Sequence, residues 1–196
     1  MDHVVFDVEI AYTIEETPGG WDATDKLGVA VTCLWECSTQ RMRVYGPDDV
    51  PSLHERLLRA DRISGYNIWN FDFPVVWGKS KMLWRSTDIS TSELKSQLRP
   101  KCNDLLRRIW VALGYDPDRW QFGMGSAKLD DIASATLGVG KIGNGADAPK
   151  WYQAGQVQRV VNYCADDVAI ERDLAEFVDR YGYVIHNNKQ LFLQGK

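Results

Sequence analysis

The 196-residue sequence has no excess of positive charge, because 23 lysines and arginines stand against 27 aspartates and glutamates. The formal net charge is −4 at neutral pH. Proteins that coat nucleic acid through counterion release are usually basic, so this class of binder is excluded. A local site for a phosphate chain would need bound metal ions to supply the positive charge.

Cysteine, histidine and long apolar runs are also scarce, with four cysteines and three histidines. The cysteines form no C-x-x-C pair. Because Cys33 and Cys37 lie at the end of an apolar stretch, we predict that their side chains pack in the protein rather than bind zinc. No stretch approaches the roughly 18 apolar residues of a membrane span, and the first residues lack the apolar core of a signal peptide. We therefore expect reduced thiols, a cytoplasmic location and no membrane partner.

What is present is ordinary globular composition, with 44% hydrophobic, 26% charged and 11% aromatic residues. These proportions exclude a disordered chain, a collagen-like repeat and a disulfide scaffold. Without internal repeats or a linker-like tract, the sequence predicts a single domain over 1–196, large enough to bury a core.

Apolar periodicity divides the chain into strands and helices. The predicted strands are 4–10, 26–35, 41–45 and 62–66, with a hairpin-like connection at 36–40. The predicted helices are 50–60, 72–79, 91–98, 104–113, 128–137 and 156–181. Strands followed by alternating helix and strand predict an α/β fold with a mixed sheet flanked by helices.

Asp7 and Glu9 lie two residues apart in the first predicted strand, so both carboxylates should project from the same face. Two adjacent like charges are unfavourable unless a cation joins them. The pair is compatible with a metal site, and equally with an edge strand that has a solvated acidic face.

Asp72 follows the turn-rich segment 64–70 and precedes Pro74 by two residues. This spacing fits a helix N-cap with proline in the first turn. A capping role and a role in chemistry are both open for Asp72 from these residues alone.

Tyr163 and Asp167 lie four residues apart in the last predicted helix and share one of its faces. Asp166 points elsewhere and is expected at the surface. A tyrosine at the edge of the core beside a solvated acid is the structural alternative to a catalytic pair.

The three motifs occur in a specific order: FDVE at 6–9, NIWNFD at 67–72 and YCADD at 163–167. In this order and at these separations they resemble the DEDD superfamily of 3′–5′ exonucleases, above all the proofreading exonuclease domain of family-B DNA polymerases. The segment KLDDIA at 128–133 is also similar to an intervening helix of that domain. The resemblance covers about 4–180 and implies a ribonuclease-H-like fold.

Two branches of this superfamily differ in the residue near the last aspartate. One has histidine five positions before it, where this chain has Asn162, and the other has tyrosine four positions before it, where this chain has Tyr163. The resemblance is therefore to the tyrosine (DEDDy) branch. Relatives often have Thr or Cys directly after the first-motif glutamate, where this chain has Ile10. This difference leaves the implied mechanism intact but makes the substrate preference less certain to infer from the resemblance.

The resemblance implies two Mg2+ or Mn2+ ions, for which four carboxylates are suitable hard ligands. Asp7 would bridge both ions, Glu9 and Asp167 would hold the ion that binds the attacking water, and Asp72 would complete the second site. Tyr163 would orient or deprotonate that water. The implied reaction removes nucleoside monophosphates from the 3′ end of single-stranded nucleic acid, with DNA favoured over RNA.

Two alternatives stay open: an RNA-trimming enzyme with the same site, and a non-catalytic nucleic-acid-binding module on this fold. Aromatic rings near the motifs are candidates for base stacking, and a lysine before the last motif is a candidate phosphate contact. The candidate substrate-binding residues are Ile10, Asn67, Trp69, Phe71, Phe122, Trp151 and Lys150.

The segment 138–143 matches G-x-G-x-x-G by letter. It follows a predicted helix instead of a strand, and Ile142 follows Lys141 where a P-loop requires serine or threonine. We predict a flexible loop there, and a loop that touches the substrate backbone is the alternative.

Overall fold

A five-stranded mixed sheet forms the centre of the computed structural model, which describes residues 1–87, 89–140 and 143–193. Its strands are β1 (His3–Ile10), β2 (Val29–Glu36), β3 (Arg41–Tyr45), β4 (Arg62–Gly65) and β5 (Cys102–Asp104). The spatial order is β3-β2-β1-β4-β5. The β1–β2 and β2–β3 pairs are antiparallel, whereas β4 is parallel to both β1 and β5. The fold is α/β and ribonuclease-H-like, as predicted.

Helices cover both faces of this sheet. They are α1 (Val50–Arg59), α2 (Asp72–Val76), α3 (Lys81–Arg85), α4 (Ile89–Leu98), α5 (Leu105–Ala112), α6 (Leu129–Leu137), α7 (Ala148–Gln153) and α8 (Val157–Tyr181). A separate hairpin pairs β6 (Tyr183–His186) with β7 (Lys189–Phe192). In the described part of the chain no helix is long and apolar enough to cross a membrane.

Alternation along β1 decides which side chains reach the site. The even-numbered Val4, Phe6 and Val8 belong to the core cluster that also contains α1 and α2 residues, while Val5 packs on the opposite face with residues of α8. Because side chains alternate along a strand, Asp7 and Glu9 share the face of Val5. Both carboxylates therefore face α8.

The predicted elements that match observed ones are the first four strands and the helices near 50–60, 91–98, 104–113, 128–137 and 156–181. The helix predicted at 72–79 is shorter, because α2 ends at Val76. Apart from short 3-10 turns, four features in the described part of the chain lacked a prediction: α3, α7, the three-residue β5 and the β6–β7 hairpin. Each is so short that apolar periodicity barely registers.

The hairpin had a local signal in the sequence. Asn187 and Asn188 connect β6 to β7 with φ values of 49° and 59°. Two consecutive residues at positive φ are typical of a type I′ turn, for which asparagine is one of the favoured residues. The Asn-Asn pair could therefore have predicted this hairpin.

Candidate active site

A cleft of about 430 Å³ lies where β1 and β4 reach their carboxyl ends. Its lining includes all five predicted catalytic side chains, which come from three separate parts of the chain: Asp7, Glu9, Asp72, Tyr163 and Asp167. The sheet, α2 and α8 therefore bring the three sequence motifs into one site.

The first two carboxylates lie on β1 beside an irregularity in the sheet. Asp7 pairs with Cys33 and Glu9 with Val31 on β2, but Ile10 pairs with Val29, so β2 has one extra residue at this point. Such a bulge bends the strand and increases its twist. The irregularity lies directly after Glu9, within the part of β1 that lines the cleft.

Asp72 is buried, and its role differs from the N-cap that the sequence suggested. It is the first residue of α2, Phe71 occupies the cap position, and no side-chain cap hydrogen bond forms there. Asp72 Oδ1 instead accepts a hydrogen bond of 3.1 Å from the Val8 backbone N–H. The capping interpretation was wrong, because α2 already begins at Asp72 and the carboxylate accepts a hydrogen bond from β1.

Burial sets the ionisation of Asp72. With 2% of its surface exposed, desolvation raises the pKa of this carboxyl well above its usual range. The nearby Asp7 raises the pKa further, and the hydrogen bond from Val8 opposes both effects. Ionising Asp72 in the folded protein is costly unless a cation is nearby.

The loop between β4 and α2 is fixed by a residue that sequence reasoning missed. Buried Asp104, at the end of β5, accepts hydrogen bonds from the backbone N–H groups of Asn67 and Trp69, at 3.0 and 2.9 Å. Asn67 adopts a left-handed conformation with φ 67°. The only sequence signal was an acid at the first position of the helix predicted at 104–113; in the structure Asp104 is the N-cap of this helix and accepts a hydrogen bond from the Arg107 N–H.

Gly65, at the start of this loop, admits no side chain. A Cβ there would lie 2.8 Å from the backbone carbonyl oxygen of Phe6 and would collide with the Ile68 side chain. Glycine is therefore required by close backbone approach between β4 and β1. This contact fixes the loop against the strand that holds Asp7 and Glu9.

Tyr163 and Asp167 are both buried on α8, with 5% and 3% of their surface exposed. The Tyr163 ring meets Trp151 edge to face, with ring centroids 5.8 Å apart. The Arg159 guanidinium lies 4.0 Å from the centre of the Trp151 ring. Asp166, one residue away, is exposed as predicted.

Two glycines, one at the end of the 138–143 loop and one just after it, also approach Tyr163. A Cβ on Gly143 would lie 3.1 Å from the tyrosine ring, and one on Gly145 would lie 3.5 Å from its hydroxyl. The flexible loop predicted at 138–143 falls partly on Lys141 and Ile142, which lie outside the described residues. What the structure adds is that Gly143 forms part of the pocket for the tyrosine ring.

Cys164 is a further residue at the site. The single S–H of Cys164 is shared between two acceptors on Asp7, the carbonyl oxygen and Oδ2, which lie 3.4 and 3.6 Å from the sulfur. Burial raises the pKa of the Cys164 thiol well above its ordinary value, and both Cys33 and Asp7 raise it further. The sulfur therefore stays protonated and acts as a donor to Asp7.

The donor set fits a hard divalent cation. Single ligand atoms of Asp7, Glu9 and Cys164 lie within 4.8 Å of one another, and no other group of three such residues does so among residues 1–87, 89–140 and 143–193. Asp72 and Asp167 line the same cleft but are not members of that group. The carboxylate oxygens of this group are the ligand type that Mg2+ and Mn2+ prefer.

The structure separates the predicted substrate-binding residues into two sets. Ile10, Asn67 and Phe71 line the cleft. Trp69 is 5% exposed and packs in the core against Phe73 and Trp84, so base stacking on Trp69 is not supported.

The other candidates are also absent from the residues that line the cleft. The Lys150 ammonium pairs with Asp147 at 3.3 Å, Trp151 stands behind Tyr163, and Phe122 is fully exposed. Trp21 was missed although it lines the cleft, is 61% exposed and lies 6.0 Å from the Phe71 ring. No pattern in the sequence connected Trp21 with the motifs.

Comparison with known proteins finds similarity at the level of structure. No protein-family model and no curated protein sequence matches the chain. Among solved structures, the family B DNA polymerase from the hyperthermophilic archaeon Pyrobaculum calidifontis matches with a TM-score of 0.60 and 18% sequence identity. The match covers 91% of this chain and 24% of the polymerase chain. At this identity the comparison shows a shared fold, in which this chain corresponds to about a quarter of the polymerase's length.

Proposed function

We propose that this protein is a metal-dependent 3′–5′ exonuclease of the DEDDy type that releases nucleoside monophosphates from single-stranded DNA. One observation carries the proposal: three motifs far apart in sequence supply four carboxylates and one tyrosine to a single cleft. Clustered carboxylates in a partly buried site are unfavourable without cations, which gives the cluster a reason to bind metal.

Each carboxylate has a role in holding the cations. Asp7 would hold both ions, Glu9 and Asp167 one of them, and Asp72 the other. When bound, two such ions activate water and stabilise the leaving oxygen of an in-line displacement at phosphorus. The hydrogen bond from Val8 fixes the direction of the Asp72 carboxylate, and the Cys164 thiol fixes that of Asp7.

Tyr163 would position the attacking water. Its ring is held by Trp151 and by the close approach of Gly143, so the hydroxyl has a defined place in the cleft. A tyrosine hydroxyl has an ordinary pKa near 10. Orientation of water by hydrogen bonding is therefore a better description of its role than proton abstraction at neutral pH.

The size and the lining of the cleft support attack at a strand end. Its volume of about 430 Å³ lies at the low end of the size range of small-ligand pockets. Trp21 and Phe71 form an aromatic pair at its wall, and Ile10 adds an apolar contact. These groups would hold the bases of an unpaired strand, because stacking on aromatic rings tolerates any base.

The proposal is tested with oligonucleotides labelled at the 5′ end: single-stranded DNA, duplex DNA and RNA, each with Mg2+ or Mn2+. We expect a ladder of shortened products from single-stranded DNA and release of mononucleotides. Cleavage of a closed circular single strand would contradict the exonuclease assignment, and preferential trimming of RNA would favour a ribonuclease.

A matched pair of variants separates chemistry from general charge effects. Asp167→Asn and Asp166→Asn remove the same charge from adjacent positions on α8, one buried in the cleft and one exposed. We expect the first to abolish cleavage and the second to retain it. Equal activity of the two variants would rule out Asp167 as a metal ligand.

A further inference from the structure

A second cleft, of about 730 Å³, lies beside the candidate active site between α3, α4 and the 3-10 turn Arg99–Lys101. The loop between β4 and α2 separates the two clefts. Asn67 and Phe71 line the acidic cleft, whereas Trp69, between them in sequence, lines the second one. The two clefts are therefore neighbours across a single loop.

The second cleft concentrates positive charge in a chain whose net charge is −4. Among residues 1–87, 89–140 and 143–193, Arg85, Lys95 and Arg99 line it together with one acid, Asp118. That acid already accepts a hydrogen bond of 2.9 Å from Arg107, and it lies 3.8 Å from Arg99. In the described part of the lining, three cationic groups therefore face one acid.

The individual cations are suitably placed for an anionic ligand. Among residues 1–87, 89–140 and 143–193, neither Arg85 nor Lys95 forms an ion pair. The Lys95 ammonium donates to the carbonyl oxygens of Trp84 and Ser86, at 3.2 and 2.6 Å. An ammonium has three N–H donors, so the two carbonyls fix its position and leave one donor for a ligand.

An independent observation comes from the indole of Trp84 in the wall of this cleft. Trp84 is 1% exposed, and its Nε1 donor has no hydrogen-bond partner in the described part of the chain. Buried donors in proteins are normally satisfied, so an acceptor that enters at this wall of the cleft would satisfy the indole N–H after a small local shift. Serine and threonine hydroxyls at 86, 87, 92 and 96 add further polar groups to the lining.

We infer that this cationic cleft binds phosphates of the same single strand whose 3′ end enters the acidic cleft. The inference rests on the proposed function for the identity of the strand. Phosphate groups suit the site because arginine and lysine bind them through charge-assisted hydrogen bonds. Because the acidic cleft repels phosphates when metal is absent, a second, cationic contact would keep the strand bound between successive cleavages.

The test measures binding without hydrolysis, using a fluorescein-labelled 16-nucleotide oligothymidylate in EDTA and fluorescence anisotropy. We expect the Arg85→Glu/Arg99→Glu variant to bind at least about tenfold more weakly than the wild type. Loss of two phosphate contacts should also lower the slope of log K against log salt by about 1.4. If the double-glutamate protein folds poorly, the Arg85→Lys/Arg99→Lys variant is measured in its place. It keeps both charges and should retain most of the slope.

The control is Arg41→Glu/Arg180→Glu, which makes the same change in net charge elsewhere. Arg41 begins β3 at the opposite edge of the sheet, and Arg180 lies next to Asp179, which pairs with Arg62 at the start of β4. Equal weakening by both double-glutamate variants, or no binding by the wild type in EDTA, would overturn the inference. An inactive wild type would overturn the exonuclease proposal without changing this binding result.

Discussion

The carboxylate of Asp72 accepts a hydrogen bond from the backbone of Val8, the residue between Asp7 and Glu9. The second motif is therefore attached to the first through the main chain. Replacing Asp7 or Glu9 with its amide leaves this hydrogen bond in place, because neither side chain takes part in it. Amide variants of the first motif should consequently report on charge with little disturbance of the fold.

Removal of one charge from the cluster should stabilise the protein without metal. We expect Asp7→Asn to raise the melting temperature measured in EDTA, because like charges near Asp7 no longer repel. Mg2+ or Mn2+ should raise the melting temperature of the wild type through preferential binding to the folded state, and this shift should largely disappear in the variant. Thermal denaturation with and without metal measures both effects; an undiminished metal shift in the variant would place the cations elsewhere.

Tyr163 and Asp167 should contribute differently to activity. Tyr163→Phe keeps the ring packed against Trp151 and removes one hydroxyl, so single-turnover cleavage should fall by about 10²–10⁴-fold or less, the usual range for a positioned water-orienting group. Its metal affinity, measured by calorimetry, should stay near the wild-type value. Asp167→Asn should weaken metal binding as well. Wild-type cleavage by Tyr163→Phe would reduce the tyrosine to a packing role.

Gly143→Ala should affect activity through the tyrosine ring. An added Cβ would lie 3.1 Å from that ring, so the ring must shift by a few tenths of an ångström. Small displacements of a positioned group are costly in catalysis, and we expect roughly a 3–10-fold loss of single-turnover rate. Gly125→Ala is the matched control, because its Cβ would have an ordinary 3.8 Å contact with Trp120. Equal rates for the two variants would show that the ring position tolerates this change.

A buried ion pair at the other end of β2 should govern stability in acid. Burial alone would raise the pKa of Glu36, but hydrogen bonds from Arg56, Arg43 and Thr39 outweigh it and lower the pKa from 4.5 to about 2. A lowered pKa in the folded state stabilises the protein above pH 4.5, and this contribution is lost as the pH falls towards 2.

We therefore expect Glu36→Gln to reduce the free energy of unfolding by about 2 kcal/mol at pH 7, once solvent screening is considered. The difference from the wild type should shrink between pH 4.5 and 2. Urea denaturation across this range measures it, with the exposed Glu55→Gln as control. A difference that is constant with pH would show that Glu36 acts through packing alone.

Much of the fold could be predicted because its long elements have strong apolar periodicity. Strand β1 alternates between two covered faces, and α8 continues for 25 residues with a buried side. The three-residue β5 is different, since its place is set by pairing with β4 and not by local preference. Asp104 was missed for the same reason: its role depends on a loop 35 residues away in sequence.

The site was predictable to a similar extent. Strand and helix periodicity predicted two local pairs, Asp7 with Glu9 and Tyr163 with Asp167. That these pairs and Asp72 meet in one cleft was implied only by the resemblance of the three motifs to the DEDD exonucleases. Substrate contacts were harder to predict from aromatic residues near a motif. Trp69 lies within the second motif but is buried, whereas Trp21 lies in a distant loop and lines the cleft. Whether an aromatic ring is exposed depends on tertiary packing, which sequence proximity does not report.

The crowded start of the loop between β4 and α2 limits what random mutagenesis can reveal. Gly65 has no room for a side chain, and Asn67 requires a left-handed conformation that glycine or asparagine adopts readily. A selection for activity would reject most substitutions at both positions, just as it would at Asp72. A map of mutational tolerance would thus show intolerant positions at 65, 67 and 72 alike, so such a map alone would not separate residues needed for the architecture from those proposed to hold cations.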